Sequence, residues 1–208
     1  MCTVGQINAQ YKGKYPVTVN KNKYTKKVDG NPVGAFLGVL FDNKKLVLVV
    51  GDRSSPARAP MGIKEYASWS SLSVEVEYEL NEFLNDLDTA IVQQLSDNSQ
   101  AIFGGHYTPN QLLEYKFYSP LVYQKSDSDL KPIFSGKVSD EVRIVDKDNK
   151  RIDAAEVKQG AGVRVMFSLG SLYFKSMNNC KMIVKTEAVQ LLEAGEDHEV
   201  DFDFDKFD

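Results

Sequence analysis

Cysteine and histidine are scarce in this chain, with two of each. Cys2 and Cys180 can form at most one bridge, and neither belongs to a pair with metal-ligand spacing. A disulfide scaffold and a structural zinc site are therefore excluded, and reduced thiols are the expectation. His106, in GGHYTP, is the only histidine outside the acidic end, which holds His198. A histidine-based triad would have to use it, yet no GxSxG or other nucleophile signature accompanies it, so it reads as a turn residue. No GxxxxGK[ST] cradle for a triphosphate occurs either. Asp201, Asp203 and Asp205 resemble part of a calcium loop, but the following glycine and terminal glutamate are missing. No catalytic set, metal or cofactor is expected.

Long apolar runs are also missing, since Val33 to Val50 is broken by Asp42, Asn43, Lys44 and Lys45. The first residues, MCTVGQINAQ, lack the charged start and apolar centre of a signal peptide. A soluble, intracellular protein is expected, with no membrane partner. Hydrophobic residues at 42% and charged residues at 26% exclude disorder of the whole chain.

The most informative absence is of acid: residues 1 to 28 contain none, against Lys12, Lys14, Lys21, Lys23, Lys26 and Lys27. Tyr11, Tyr15 and Tyr24 are interleaved with these lysines. Ammonium groups displace counterions from phosphates while rings stack on unpaired bases, so this mixture suits a single-stranded nucleic acid. The net charge of −4 hides an asymmetry. From Glu193 to Asp208 there are eight acids against Lys206, which leaves residues 1 to 192 with 24 bases and 21 acids. The body is mildly basic, and the only compositional boundary lies near Glu193. Two parts are expected: residues 1–192 as a nucleic-acid-binding domain and residues 193–208 as an acidic-aromatic tail.

Most of the body reads as strand. Tyr15, Val17 and Val19 alternate with polar residues. VGAFLGVLF (33–41) and KLVLVV (45–50) flank the turn-prone Asp42-Asn43-Lys44, which predicts a hairpin. SLSVEVEYEL places Leu72, Val74, Val76, Tyr78 and Leu80 on one face of a half-buried strand. The segments 115–124, 137–146, 161–174 and 180–192 read as further strands. A helix is predicted from Asn81, with Leu84, Leu87, Ile91 and Leu95 at helical spacing. Many short strands and one helix suit an antiparallel β-barrel with one inserted α-helix, because closure removes exposed edges.

Candidate binding residues follow from basic and aromatic side chains in loops and at strand ends. Arg53, Arg58 and Lys64 sit in or beside the Gly51–Gly62 loop, with Tyr66 and Trp69 close behind. Tyr173 and Lys175 close a strand that also carries Arg164, and Lys116 with Tyr118 forms a similar mixture. Clamping phosphates and stacking bases is the chemistry these types offer. In the tail, Asp201, Phe202, Asp203, Phe204, Asp205, Phe207 and Asp208 alternate carboxylates with rings. Three phenylalanines left in water are costly without a use, so the tail reads as a disordered recruitment peptide and electrostatic competitor.

The loop APMGI (59–63), the helix NEFLNDLDTAIVQQLSDNS (81–99), and the strands RVMFSLGSLYF and CKMIVKTEAVQLL before an acidic tail together resemble a known family. It is that of the replicative single-stranded-DNA-binding proteins of large nucleocytoplasmic DNA viruses, similar in plan to those of short-tailed bacteriophages. The resemblance spans roughly residues 33 to 208. It implies an OB-fold with basic and aromatic groove residues, and an acidic-aromatic end contacting replication proteins such as a polymerase or helicase-primase. It also implies residence at the site of viral DNA replication. Arg53, Arg58 and Phe207 fit the pattern; an end in Asp208 and the lysine-rich arm of residues 11–27 depart from it. The sequence leaves open a homodimer, a preference for RNA, and the alternative of a β-rich scaffold binding only protein.

Overall fold

The computed structural model describes residues 2–11, 14–67, 69–124, 131–176 and 179–196. In chain order the elements are β1 (Cys2–Thr3), α1 (Val4–Tyr11), β2 (Val17–Val19), β3 (Tyr24–Val28), β4 (Asn31–Phe41), β5 (Leu46–Val50), β6 (Ala57–Ala59), β7 (Ile63–Tyr66) and β8 (Trp69–Glu75). Three helices follow, α2 (Tyr78–Asp97), α3 (Ser99–Phe103) and α4 (Pro109–Glu114). The chain then returns to strands: β9 (Tyr118–Ser119), β10 (Val122–Tyr123), β11 (Ile133–Val138), β12 (Arg143–Val145), β13 (Ala161–Ser176) and β14 (Asn179–Glu193).

Two long strands form the spine. β13 and β14 pair antiparallel along their length, and Val163, Val165, Phe167, Cys180, Met182 and Val184 all turn into the core. Strict alternation in CKMIV dictates this, because successive side chains in a strand point to opposite faces. The mainly β architecture with helix inserted between strands is therefore observed. In detail the sheet path, β1-β5-β13-β14-β11-β8-β7, stays open, and β14 takes β9, β11 and β12 as parallel neighbours. Where an antiparallel barrel, closed or nearly closed, is expected, the sheet is unclosed and carries these parallel pairs among antiparallel ones.

The expected hairpin at Asp42-Asn43-Lys44 is confined to its turn, where Phe41 and Lys44 bridge antiparallel, and does not extend into a β4–β5 pairing. β4 pairs with β13 from Gly38↔Ser171 to Ala35↔Phe174, and β5 continues along the same edge from Leu46↔Leu169 to Val50↔Val165. Residues 35 to 50 thus run one way along β13, and the tight turn of Asp42 (φ 50°) and Asn43 (φ 59°) is an outward kink. A turn signal fixes local dihedrals but not whether the flanking strands pair with each other or with a third.

The helix begins at Tyr78, three residues earlier than predicted, and the preceding strand stops at Glu75. Tyr78 leaves the expected buried face and is 76% exposed, whereas Leu80, Phe83, Leu84, Leu87, Ile91 and Leu95 are buried along α2. Each such side chain contributes about 1.5 to 3 kcal/mol on leaving water. The segment read as one strand over 115–124 is two short bridges, and 137–146 is broken by a turn between β11 and β12. α1, α3 and α4 are not expected from the sequence; α4 carries a capping box, Thr108 with Gln111, and Pro109 at its first position.

Cys180 is buried, and burial pushes its thiol up to about 12. Peptide mapping after alkylation at pH 8 is expected to find Cys180 unmodified in the native protein and modified in urea, since the thiolate is the reactive form. Modification of Cys180 at equal rates in both conditions would contradict the packing.

Candidate nucleic-acid interface

Paired residues of neighbouring strands share a face, so the register assembles rows of side chains across the outer side of the sheet. One row joins Tyr24, Phe36, Tyr173 and Lys181 across β3, β4, β13 and β14. The Tyr24 and Phe36 rings are stacked with centroids 5.4 Å apart, and Phe36 and Tyr173 lie 5.3 Å apart. Gly34 makes room for the ladder: a Cβ there would come within 2.5 Å of the Tyr173 ring. The next row is a shallow floor of Gly38, Ser171 and Ile183.

A third row crosses the sheet through Lys64, Ser71, Lys137, Lys185 and Ser168. All three of its lysines are exposed. Together the rows border a groove of about 850 Å³ that includes Tyr24, Phe36, Lys45, Lys137, Lys185 and Glu187. Beyond it, Arg164 lies opposite Gln190, and Arg58 opposite Gly162. The outer face of β13 thus runs from Tyr173 past Ser168 to Arg164. At about 3.3 Å per residue that track is about 30 Å long.

The groove is not uniformly positive. The Glu187 carboxylate takes Lys45 Nζ at 3.0 Å and a hydrogen bond donated by the Ser168 hydroxyl, and these hold it below the usual glutamate range, the serine bond foremost. At the far end Arg58 pairs with Glu193 at 2.9 Å and donates to the Gly160 carbonyl, while Arg53 donates to the Lys147 carbonyl at 3.2 Å. Both loop arginines are therefore held in place by the protein rather than swinging in solvent.

The hairpin β7–β8 carries a separate aromatic feature. Tyr66 and Trp69 stack at 4.2 Å with an interplanar angle of 14°, exposed at 43% and 44%. Lys64 Nζ lies 5.6 Å from the Tyr66 ring centroid, at the edge of the lysine row. The sequence placed these three residues near one another in the chain; the hairpin makes them one surface.

The structure sorts the remaining candidates. Tyr24 and Tyr173 meet in the ladder, and Lys14, Lys21, Lys27 and Lys116 are exposed. Lys23 is turned to Phe174, with Nζ 4.2 Å from the ring centroid, and desolvation lowers its pKa. Tyr118 is a correction: it is 2% exposed and donates to buried Asp88 at 2.5 Å, so it is unavailable to a ligand. Its neighbours Tyr115, at the end of α4, and Lys116, in the turn that follows with φ 56°, take the exposed positions. Tyr11 and Tyr15 pack on Phe41 at 5.1 and 6.0 Å rather than facing solvent. Lys12, the side chains of Lys26 and Lys175, and the tail residues Asp201, Phe202, Asp203, Phe204, Asp205, Phe207 and Asp208 lie outside the described residues. β14 runs to Glu193, and the Glu196 amide still donates to Gln159, so the chain is attached past the compositional boundary.

Phe36, Lys45, Lys137, Lys181 and Lys185 are groove residues that the sequence reading missed. The signal for two of them was present: in CKMIVK, burial of Cys180, Met182 and Val184 turns Lys181, Ile183 and Lys185 outward. Among the described residues no helix is long and apolar enough to cross a membrane.

No protein-family model matches the chain, and no curated protein matches it. Solved structures to which the chain is similar include the single-stranded DNA-binding protein from bacteriophage Enc34, at 13% identity and a TM-score of 0.43, covering 90% of this chain and 99% of that one. The same phage protein in complex with ssDNA aligns at 12% identity and a TM-score of 0.41, covering 82% and 94%. The single-stranded DNA binding protein gp2.5 encoded by bacteriophage T7 aligns at 14% identity and a TM-score of 0.43, covering 79% and 95%. These are phage proteins, so the likeness to proteins of large nucleocytoplasmic DNA viruses rests on the sequence motifs alone.

Proposed function

We propose that this chain is a non-enzymatic protein that coats single-stranded DNA without strong sequence preference during replication, recombination or repair. The observation that carries the reading is the juxtaposition of an aromatic ladder and a lysine row on one outward face. Rings take bases of any identity by stacking, at about 1 to 3 kcal/mol per base, while ammonium groups take the phosphates between them. A track of about 30 Å suits a short stretch of strand, within the roughly 4 to 16 nucleotides that one OB-fold occupies. The stacked Tyr66 and Trp69 extend the same chemistry to the hairpin. In this reading residues 1–192 bind DNA, and the tail of residues 193–208 recruits a replication protein through Phe202, Phe204, Phe207 and their acids. The protein then works where viral DNA is copied, as the motif resemblance implies.

Fluorescence anisotropy of labelled oligo-dT, titrated with the full chain across a salt series, tests the reading. With the outward Lys64, Lys137, Lys181 and Lys185 engaged, the plot of log K against log salt is expected to slope at about −3, at roughly −0.7 per neutralised phosphate. Absence of salt-dependent binding at low ionic strength would overturn it and leave a protein-only scaffold in front.

A further inference from the structure

A carboxylate in the middle of a phosphate-binding groove works against affinity, and Glu187 is held there by design of the backbone. In β14 Thr186 pairs with Phe167 and Ala188 with Met166, which leaves Glu187 as the extra residue of a β-bulge. Alternation from Lys185 puts Glu187 on the same outer face, and the bulge follows it, so that Val189 rather than Ala188 is the next buried residue. There both anchors, Lys45 Nζ and the Ser168 hydroxyl, meet one oxygen, Oε1. Among the described residues Oε2 has no such anchor, and the side chain lines the groove at 38% exposure. The result is a fixed, acceptor-only group beside the lysines that hold the backbone.

An ionised carboxylate accepts hydrogen bonds and cannot donate them. A base edge that offers an amino group at the 4-position satisfies it, as the N4 amino group of cytosine does, whereas thymine places its O4 carbonyl there, acceptor to acceptor, and has its donor one position along, at N3–H. We propose that Glu187 is a base-discriminating residue that seats cytosine in preference to thymine at one position of the strand. This rests on the single-stranded-DNA reading and adds to it a modest local bias within a largely sequence-tolerant track. Ser168 and Lys45 are its positioning residues: they fix which oxygen faces the ligand, and Lys45 keeps the charge from being a net repulsion.

The test compares short homopolymers of dC and dT of equal length in competition for the full chain, with wild type, Glu187→Gln and Glu187→Ala. Wild type is expected to prefer dC over dT on the order of five- to tenfold, the size of one charge-assisted hydrogen bond at a half-exposed site. In both variants the dC to dT ratio is expected to collapse toward one, with dT binding itself tightened by loss of the negative charge. Comparing the ratio between wild type and variants cancels differences in the flexibility of the two strands. Equal ratios in wild type and both variants, with salt-dependent binding intact, would overturn the proposal and leave the DNA reading standing. No binding of either homopolymer would overturn both. Thermal melting of the variants checks the fold: Glu187 is exposed, so a change in ratio without a change in melting belongs to recognition.

Discussion

Reversing two charges of the lysine row, with Lys137→Glu and Lys185→Glu together, is expected to weaken oligo-dT binding about a hundredfold near 0.1 M salt. Each phosphate contact to a single strand contributes a slope of about −0.7, so losing two costs roughly 25-fold at that ionic strength, and the introduced carboxylates repel the backbone further. The salt slope is expected to fall in magnitude by at least about 1.4. Lys137 and Lys185 are directly paired across β11 and β14 and exposed, so the substitution leaves the core untouched. Tyr173→Ala supplies the contrast. It removes one rung of the ladder and is expected to cost about 1 to 3 kcal/mol of binding while leaving the salt slope unchanged. Anisotropy titrations at several salt concentrations separate the two effects. If the double reversal changed neither affinity nor slope, the phosphate path would have to lie elsewhere on the molecule.

How far the sequence foretold this surface depends on which kind of pattern encodes it. The alternation in β14 and the helical stripe of Leu84, Leu87, Ile91 and Leu95 were legible, because a buried face imposes a period on the chain. The ladder was only half legible. Tyr173 and Tyr24 stood out as aromatics beside lysines, but Phe36 sits in VGAFLGVLF, where both faces are apolar and no period marks the outward one. The bulge at Glu187 was not legible at all, since an inserted residue looks like its neighbours until its partner strand is known. The same reason explains the misplacement of Tyr118. Aromatic and lysine neighbours suggested a binding strand, yet the tyrosine is needed by a buried carboxylate thirty positions earlier. Lateral pairing is a property of several segments at once, and the rows that define the groove are lateral.

That buried carboxylate makes the second large prediction. Asp88, on α2, accepts from the Tyr118 hydroxyl at 2.5 Å and from the Leu121 amide at 2.9 Å. Both donors lie on the segment that returns the chain from the helices to the sheet, and Tyr118 sits beside Cys180 at the start of β14. Asp88→Ala leaves both donors buried without an acceptor and is expected to cost about 3 kcal/mol, within the range of about 1 to 3 per orphaned group. For a chain of this size that lowers the melting temperature by roughly 6 to 12 °C. Burial pushes the Asp88 carboxyl up to about 6, with the two hydrogen bonds opposing it. In the unfolded chain the same group titrates near about 3.9. Between those values the folded protein keeps a proton that the unfolded chain releases, so this residue's contribution falls as pH rises from about 4 to 6 and stays at its lower level above. The loss over that window amounts to about 3 kcal/mol. Asp88→Asn is neutral at every pH and retains an acceptor, so its stability curve is expected to lack this fall and to approach or cross that of wild type as pH rises. Urea unfolding of both proteins at intervals from pH 4 to 7 measures the difference. Parallel curves would mean that Asp88 is ionised throughout and that its charge is solvated by more than the two donors beside it.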